Sequence, residues 1–410
     1  MSLYRLVWGL LVTVGAMCFV GARADVGVAP ALSGVLAIRV WTPHPPADDL
    51  VSAQAALRQT APQLQPGAYP EFRTSPRQPV WLALDLAVDP QAGPWVLELT
   101  HPSIRAADLY LSHADEAPMV VRGGRDTPMA ARANARFPAT LALPADTTAS
   151  TVYLRLKGTV PMRGQIRLQS LGEWRSQSRM QLAAMTVCFG VALLAVLYAL
   201  GRAWHLRSRA YARYAALGLS IAATGVFISG YGETWLWPWV ADWRGPIAST
   251  MACVSAGLAL LLAECAFALE VRAPRFALLL RVMGVLCPLA GVLGLAFDLA
   301  VHQMLSHGAA AAAIGMSLCS FWFAWRTENR AAVWLLLGFV PVSLGVGVTT
   351  LAVAGIIPFT PWVLMAMPLG SALEVPFNLY GLHLLEQRRA LVLRSRAELD
   401  QVHAPAGESR

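Results

Sequence analysis

The chain has 410 residues, of which 56% are hydrophobic and only 14% charged, with a formal net charge of +8. Soluble domains run at about 45–50% apolar and about 25% charged, so this composition excludes a protein that meets water on every side. The positive excess is no nucleic-acid footprint, because the arginines fall in loops beside apolar runs, where a membrane would orient them.

Residues 1–24 place Arg5 ahead of an apolar run from Leu6 to Val20 and end in Ala22-Arg23-Ala24. A charged start, an apolar stretch and a small-x-small site make a secretory signal, with cleavage expected after Ala24. Met17 is too bulky for lipidation of Cys18. The other cysteines are Cys188, Cys253, Cys265, Cys287 and Cys319, so none of the six lies between Asp25 and Arg179. An exported segment there has no disulfide framework, no Cys-x-x-Cys spacing suggests a metal or redox centre, and no cofactor is expected.

Residues 25–178 read as a periplasmic all-β domain. After the Pro-rich Thr42-Pro43-His44-Pro45-Pro46, the segment Trp81–Val88 alternates as a half-buried strand, and Trp95–Leu99 follows it. Next come Asp108–Leu111, Ala139–Leu143, Thr151–Leu156 and Gln165–Leu168, separated by Gly, Pro, Asp or Asn. Short strands spaced by turn residues, with no long 3.6-periodic run between them, predict a β-sandwich. Trp81, Trp95 and Tyr110, with Trp41 and Trp174, are candidates for a ligand-stacking platform, although aromatics in alternating strands more often fill a core. His44, His101 and His113 lack metal-ligand spacing and read as surface histidines.

Residues 179–387 carry seven apolar stretches, at about 181–203, 211–231, 247–269, 276–298, 303–325, 331–356 and 362–384. Each approaches the ~20 residues that cross the hydrocarbon core. Arg202, Arg207, Arg209 and Arg213 flank the first loop, Arg272, Arg275 and Arg281 the third, and Arg326 and Arg330 the fifth. The even loops are nearly free of positive charge, with Arg244 alone among Trp235, Trp237, Trp239 and Trp243. Odd loops are therefore cytoplasmic, the tryptophans form an outer belt, and the tail 388–410 lies inside. The location implied is a bacterial inner membrane.

Within the spans, Glu374 sits midway along the seventh, where a charged acid costs about 2.5–3.5 kcal/mol, so it should be neutral or paired inside the bundle. Pro376 would kink that helix. Glu264 lies near the cytoplasmic end of the third span, where an arginine partner is the simple account. The only lysine is Lys157, which rules out a retinal Schiff base in a span. No His-Glu-x-x-His helix occurs, and Phe227-Ile228-Ser229-Gly230 lacks the glycine expected before a rhomboid-type serine. Five alanines at 309–313 between Gly308 and Gly315 predict close helix packing rather than a lined pore. An enzyme is not expected.

This order of parts resembles the bacterial seven-transmembrane receptors with diverse intracellular signalling modules. The extracellular part looks like their type-2 domain through Trp81-Leu82-Ala83-Leu84, Asp108-Leu109-Tyr110-Leu111 and Val152-Tyr153-Leu154-Arg155-Leu156. The membrane part is similar through Arg207-Ser208-Arg209-Ala210-Tyr211, Tyr231–Pro238, Arg272-Ala273-Pro274-Arg275 and Gly370-Ser371-Ala372-Leu373-Glu374. The resemblance implies a jelly-roll sandwich above a seven-helix transmembrane bundle, and a receptor for an extracellular small molecule, a carbohydrate being one candidate. Such receptors usually continue into a catalytic output domain, whereas Glu386–Arg410 is too short for one. The expected partners are the ligand, the lipid bilayer, a separate cytoplasmic signalling protein and a second copy in a homodimer. A transporter working through Glu374 and an envelope scaffold are the competing readings.

Overall fold

The structure is a computed structural model. It describes residues 35–403 except the connections at 44–48, 62–70, 75–77, 87–93, 102–103, 112–117, 125, 128–138, 144–150, 159–161, 231, 233–238, 240–242, 268 and 326–329. The expected signal segment, His44, His113, Trp235, Trp237 and the polar end from 404 onward lie outside the described residues.

Among the described residues, nine strands come first: β1 Val35–Trp41, β2 Glu71–Thr74, β3 Val80–Leu86, β4 Trp95–Leu99, β5 Ile104–Leu111, β6 Met119–Gly123, β7 Ala139–Leu143, β8 Thr151–Gly158 and β9 Met162–Ser170. They form two sheets, in the orders β1-β3-β8-β5-β6 and β2-β9-β4-β7. Every pairing within them is antiparallel. One apolar core joins the sheets: Leu82 and Leu84 of β3 and Leu154 of β8 meet Leu97 of β4, Leu141 of β7 and Ile166 of β9. Full burial of such a side chain contributes about 1.5–3 kcal/mol.

The domain is not all-β. A ten-residue helix, α1 Leu50–Gln59, lies on the outer face of the first sheet. Asp49 caps it by accepting from the Ser52 N–H at 2.9 Å. Its Ala53 and Leu57 pack on Trp81, Ala83 and Tyr153. β3 is consequently buried on both faces instead of half-buried.

Among the described residues, seven long helices follow: α2 Leu171–Leu206, α3 Arg209–Ser229, α4 Arg244–Ala266, then after the single turn α5 Leu269–Arg272, α6 Pro274–Gly294, α7 Leu299–Trp325, α8 Arg330–Val353 and α9 Pro361–His403. Among the described residues, five are long and apolar enough to cross a membrane: α2, α3, α4, α6 and α8. The other two carry several polar side chains, His302, Gln303 and His307 in α7 and Glu374 and Asn378 in α9. Polar side chains lower the hydropathy of a span without preventing it from being helical.

The alanine run packs differently from the expectation. Ala309 and Ala313 face the bundle core. Gly308 and Gly315 have no neighbouring atom within 4 Å of where a Cβ would stand. Ala310 and Ala313 also line a cavity, so this stretch is not wholly close-packed.

Candidate functional site

Two attachments join the sheet domain to the helices. The first is covalent: β9 ends at Ser170 and α2 begins at Leu171, with no loop between them. A capping box fixes the corner. The Glu173 N–H donates to Ser170 Oγ at 3.2 Å, and the Ser170 N–H donates to Glu173 Oε2 at 3.3 Å. Trp174, one turn into α2, is 5% exposed and bonds Glu98 of β4. The Gln169 amide also donates to Glu98, at 3.0 Å. Burial raises the Glu98 carboxyl above its ordinary pKa, against the pull of Arg167 and of the Trp174 and Gln169 hydrogen bonds.

The second attachment is a clamp on the connection between α8 and α9. Phe359 pairs with Gly164 of β9 as an isolated bridge. Its N–H donates to Arg163 O at 2.8 Å. Its carbonyl accepts from the Thr100 hydroxyl, which in turn accepts from the Gln165 N–H at 2.9 Å. Arg163 Nη1 reaches Ile356 O at 3.2 Å. The His101 ring meets the Phe359 ring edge-on, with centroids 5.2 Å apart. A Cβ on Gly164 would stand 2.7 Å from the Phe72 ring, so only glycine lets the strand come this close.

His101 is therefore no surface histidine. It is 0% exposed, and burial pushes its pKa down to about 3, with the Arg244 charge acting in the same direction. A backbone hydrogen bond with Ala352 opposes this shift. The ends of α4 and α8 thus lie at the sandwich, as does the start of α7, whose Ala300 packs on the sandwich core.

Of the aromatic candidates, the structure brings Trp81 and Tyr110 together, with centroids 5.4 Å apart, and leaves Trp95 on the other sheet. Trp81 is 0% exposed beneath α1, with the Arg155 guanidinium 5.9 Å from its ring centroid. Arg155 pairs with Asp108 at 3.1 Å beside Tyr110. Burial, then the Asp108 charge, raises the Tyr110 phenol above its ordinary pKa.

Inside the bundle, Glu374 is 3% exposed and Asn378, one turn later, is 0% exposed. Among the described residues, Glu374 Oε2 and both amide atoms of Asn378 have no hydrogen-bond partner. Gly338 of α8 packs directly on the Asn378 amide. Glu264 behaves as expected: Arg213 and Arg281 each bond it at 2.8 Å. Sequence reasoning passed over Asn378, although its spacing of four from Glu374 put both on one helix face. It also passed over the clamp, for which an isolated Phe in a loop gives no signal.

The model of a family described as 7TM diverse intracellular signalling matches residues 181–383, and that of 7TMR-DISM extracellular 2 matches residues 46–170. No curated protein and no solved structure matches the chain. The apolar helices and the extracellular match make this a multi-pass membrane protein with an extracellular N-terminal domain. The chain belongs to the seven-transmembrane receptors with diverse intracellular signalling modules and carries their type-2 extracellular domain.

Proposed function

We propose that the protein is a bacterial inner-membrane receptor whose sandwich binds a small extracellular molecule, a carbohydrate being one candidate. The bundle passes the resulting change to cytoplasmic signalling machinery. The arginines of the odd loops support a cytoplasmic end for α9. The sheet orders β3-β8-β5-β6 and β2-β9-β4-β7 support a jelly roll, since the chain alternates between sheets as two Greek keys do. The Tyr110 face, with its partly exposed ring beside the Asp108–Arg155 pair, suits a hydroxylated ligand. Trp81 supports that ring from beneath, and Trp95 is a separate candidate on the opposite sheet.

The observation that carries the reading is the clamp at Phe359. It ties β9 to the start of the last helix, while β9 itself becomes the first helix. A ligand that alters the sandwich therefore acts on both the first and the last helix of the bundle. It can shift the bundle only if it binds one arrangement more tightly than the other. Beyond the bundle, α9 exposes Leu391, Val392 and Leu393 by 61%, 54% and 57%, apolar surface that a downstream partner or second copy could cover.

The test uses the full chain in lipid nanodiscs, screened against sugars and small metabolites by thermal shift. A ligand at 100 times its dissociation constant should stabilise by about 2.7 kcal/mol. Tryptic cleavage at the exposed Arg388, Arg389 and Arg394 should then change rate on binding. Thr100→Val should keep the thermal shift and lose the change in cleavage. A cleavage response that survives Thr100→Val unaltered would remove the clamp from the route, and a panel without any hit would remove the small-molecule reading.

A further inference from the structure

Beneath the clamp, the bundle contains a half-enclosed cavity of about 160 Å³ between α3, α4, α7 and α8, reaching Met367 of α9. Leu217, Ile221, Phe339, Val342 and Val346 give it apolar wall. Hydroxyls interrupt that wall on every one of the four helices. Thr224 comes from α3, Ser249 and Ser255 from α4, and Ser306 and Ser317 from α7. Ser343, Thr349 and Thr350 come from α8. None of the described lining residues is acidic. Arg244, the first residue of α4, also lines the cavity, but it is 4% exposed and interacts with other groups of the chain.

These features select an uncharged guest with a polar group. A charged guest would give up its water for a wall with no acid and with an arginine that the protein itself covers, and such a transfer is costly. The hydroxyls decide which polar group fits. Thr224 donates to Ser220 O at 2.8 Å, Ser306 to Gln303 O at 2.9 Å and Thr349 to Gly345 O at 2.9 Å. Each of these hydrogens is committed to the residue's own helix, while the oxygen can still accept a bond. The complement of an accepting wall is a donor, and a hydroxyl is the smallest uncharged one. An engineered apolar cavity of about 150 Å³ in another protein binds benzene, which sets the size of the apolar body that fits here.

We propose that this cavity is a second ligand site, for a small uncharged alcohol with an apolar body of about benzene's size. The body rests against Leu217, Phe339 and Val342, and the hydroxyl donates to one of the wall oxygens. The site is independent of any ligand on the sandwich. Its wall includes α8, the helix that runs into the clamped connection, so occupancy acts on the same bundle from within.

The experiment titrates benzyl alcohol into the full chain in nanodiscs by calorimetry, with empty nanodiscs as the blank for partition into lipid. Toluene, which lacks the hydroxyl, and benzoate, which adds a charge, are the comparisons of similar size. Saturable one-to-one binding of benzyl alcohol is expected. Toluene should bind about threefold or more weakly, the worth of one neutral hydrogen bond. Benzoate should be weaker by about tenfold or more, because its charge is desolvated. Ala252→Leu and Ala310→Leu, which place side chains in the cavity, should abolish binding. At least one of Thr224→Val, Ser306→Ala and Thr349→Val should weaken benzyl alcohol and leave toluene unchanged. If a filling variant does not fold, the three guests and the hydroxyl variants still decide. No saturable binding of benzyl alcohol, equal affinity for toluene or benzoate, undiminished binding in the filled variants, or no effect of any hydroxyl variant would overturn the proposal.

Discussion

Glu264 and His101 show how burial and partners set what a single side chain can do. The carboxylate of Glu264 is 3% exposed, and the guanidinium groups of Arg213 and Arg281 hold it. That pairing was legible, because an acid at the arginine-rich end of a span has few other ways to be buried. His101 was not legible, since a lone histidine after a strand gives no sign that a helix connection will cover it. The consequence is a pH dependence. Unfolded, His101 would titrate near 6.5; folded, it titrates near 3. Between those values the unfolded chain binds the extra proton, so stability is full above about pH 6.5 and falls as pH drops toward 3. The thermal midpoint of the wild type should therefore fall between about pH 7 and pH 5 by more than that of His101→Gln. Parallel curves for the two proteins would show that His101 is not buried neutral.

At the scale of elements, the sequence announced the long ones and the core strands. An apolar run of about 20 residues has to become a helix in lipid, because nothing else satisfies its backbone there. Each expected span accordingly overlaps a helix, from α2 to α9. The bounds differ where polar residues continue the helix: α2 begins at Leu171 rather than near 181, and α9 runs to His403 rather than 384. Three strands gave no sequence signal, β1, β2 and β6, and all three are sheet edges. An edge strand packs on one side only and takes its register from its neighbour, so its own pattern is weak. β2 even places Glu71 and Arg73 on either side of the buried Phe72. The helix α1 was missed for a similar reason, with only Ala53 and Leu57 buried among its ten residues. The corner between β9 and α2 depends on an element-level device, the capping box. Ser170→Ala should cost about 1 kcal/mol of full-chain stability, read as a lower thermal midpoint. Ser170→Asp, which can still accept from the Glu173 N–H, should cost less, and equal losses for the two would show that the cap does not secure the corner.

For the whole molecule, the number of attachments matters more than the area of the interface. One continuous chain from β9 into α2 fixes where the sandwich stands but leaves it free to rotate about that corner. A second attachment at Phe359, on the connection into α9, removes that freedom and makes the sandwich and bundle one mechanical unit. Phe359 is 1% exposed and packs with Val363 and Leu364 of α9, so the clamp is also part of the bundle's own core. Phe359→Ala should cost about 3–5 kcal/mol, typical of a buried phenylalanine. Its more telling effect should be on cooperativity. With both attachments, the sheet and helices should melt together, followed by tryptophan fluorescence and by helical circular dichroism on the full chain in nanodiscs. With Phe359→Ala, the ring contacts to His101 and to the bundle core are lost while the main-chain hydrogen bonds to β9 remain, and the two signals should separate, the sandwich losing its structure at a temperature the bundle survives. Two signals that stayed superimposed in the variant would mean that the Phe359 ring is not what couples the domains, and that the main-chain bridge to β9 and the α2 corner suffice.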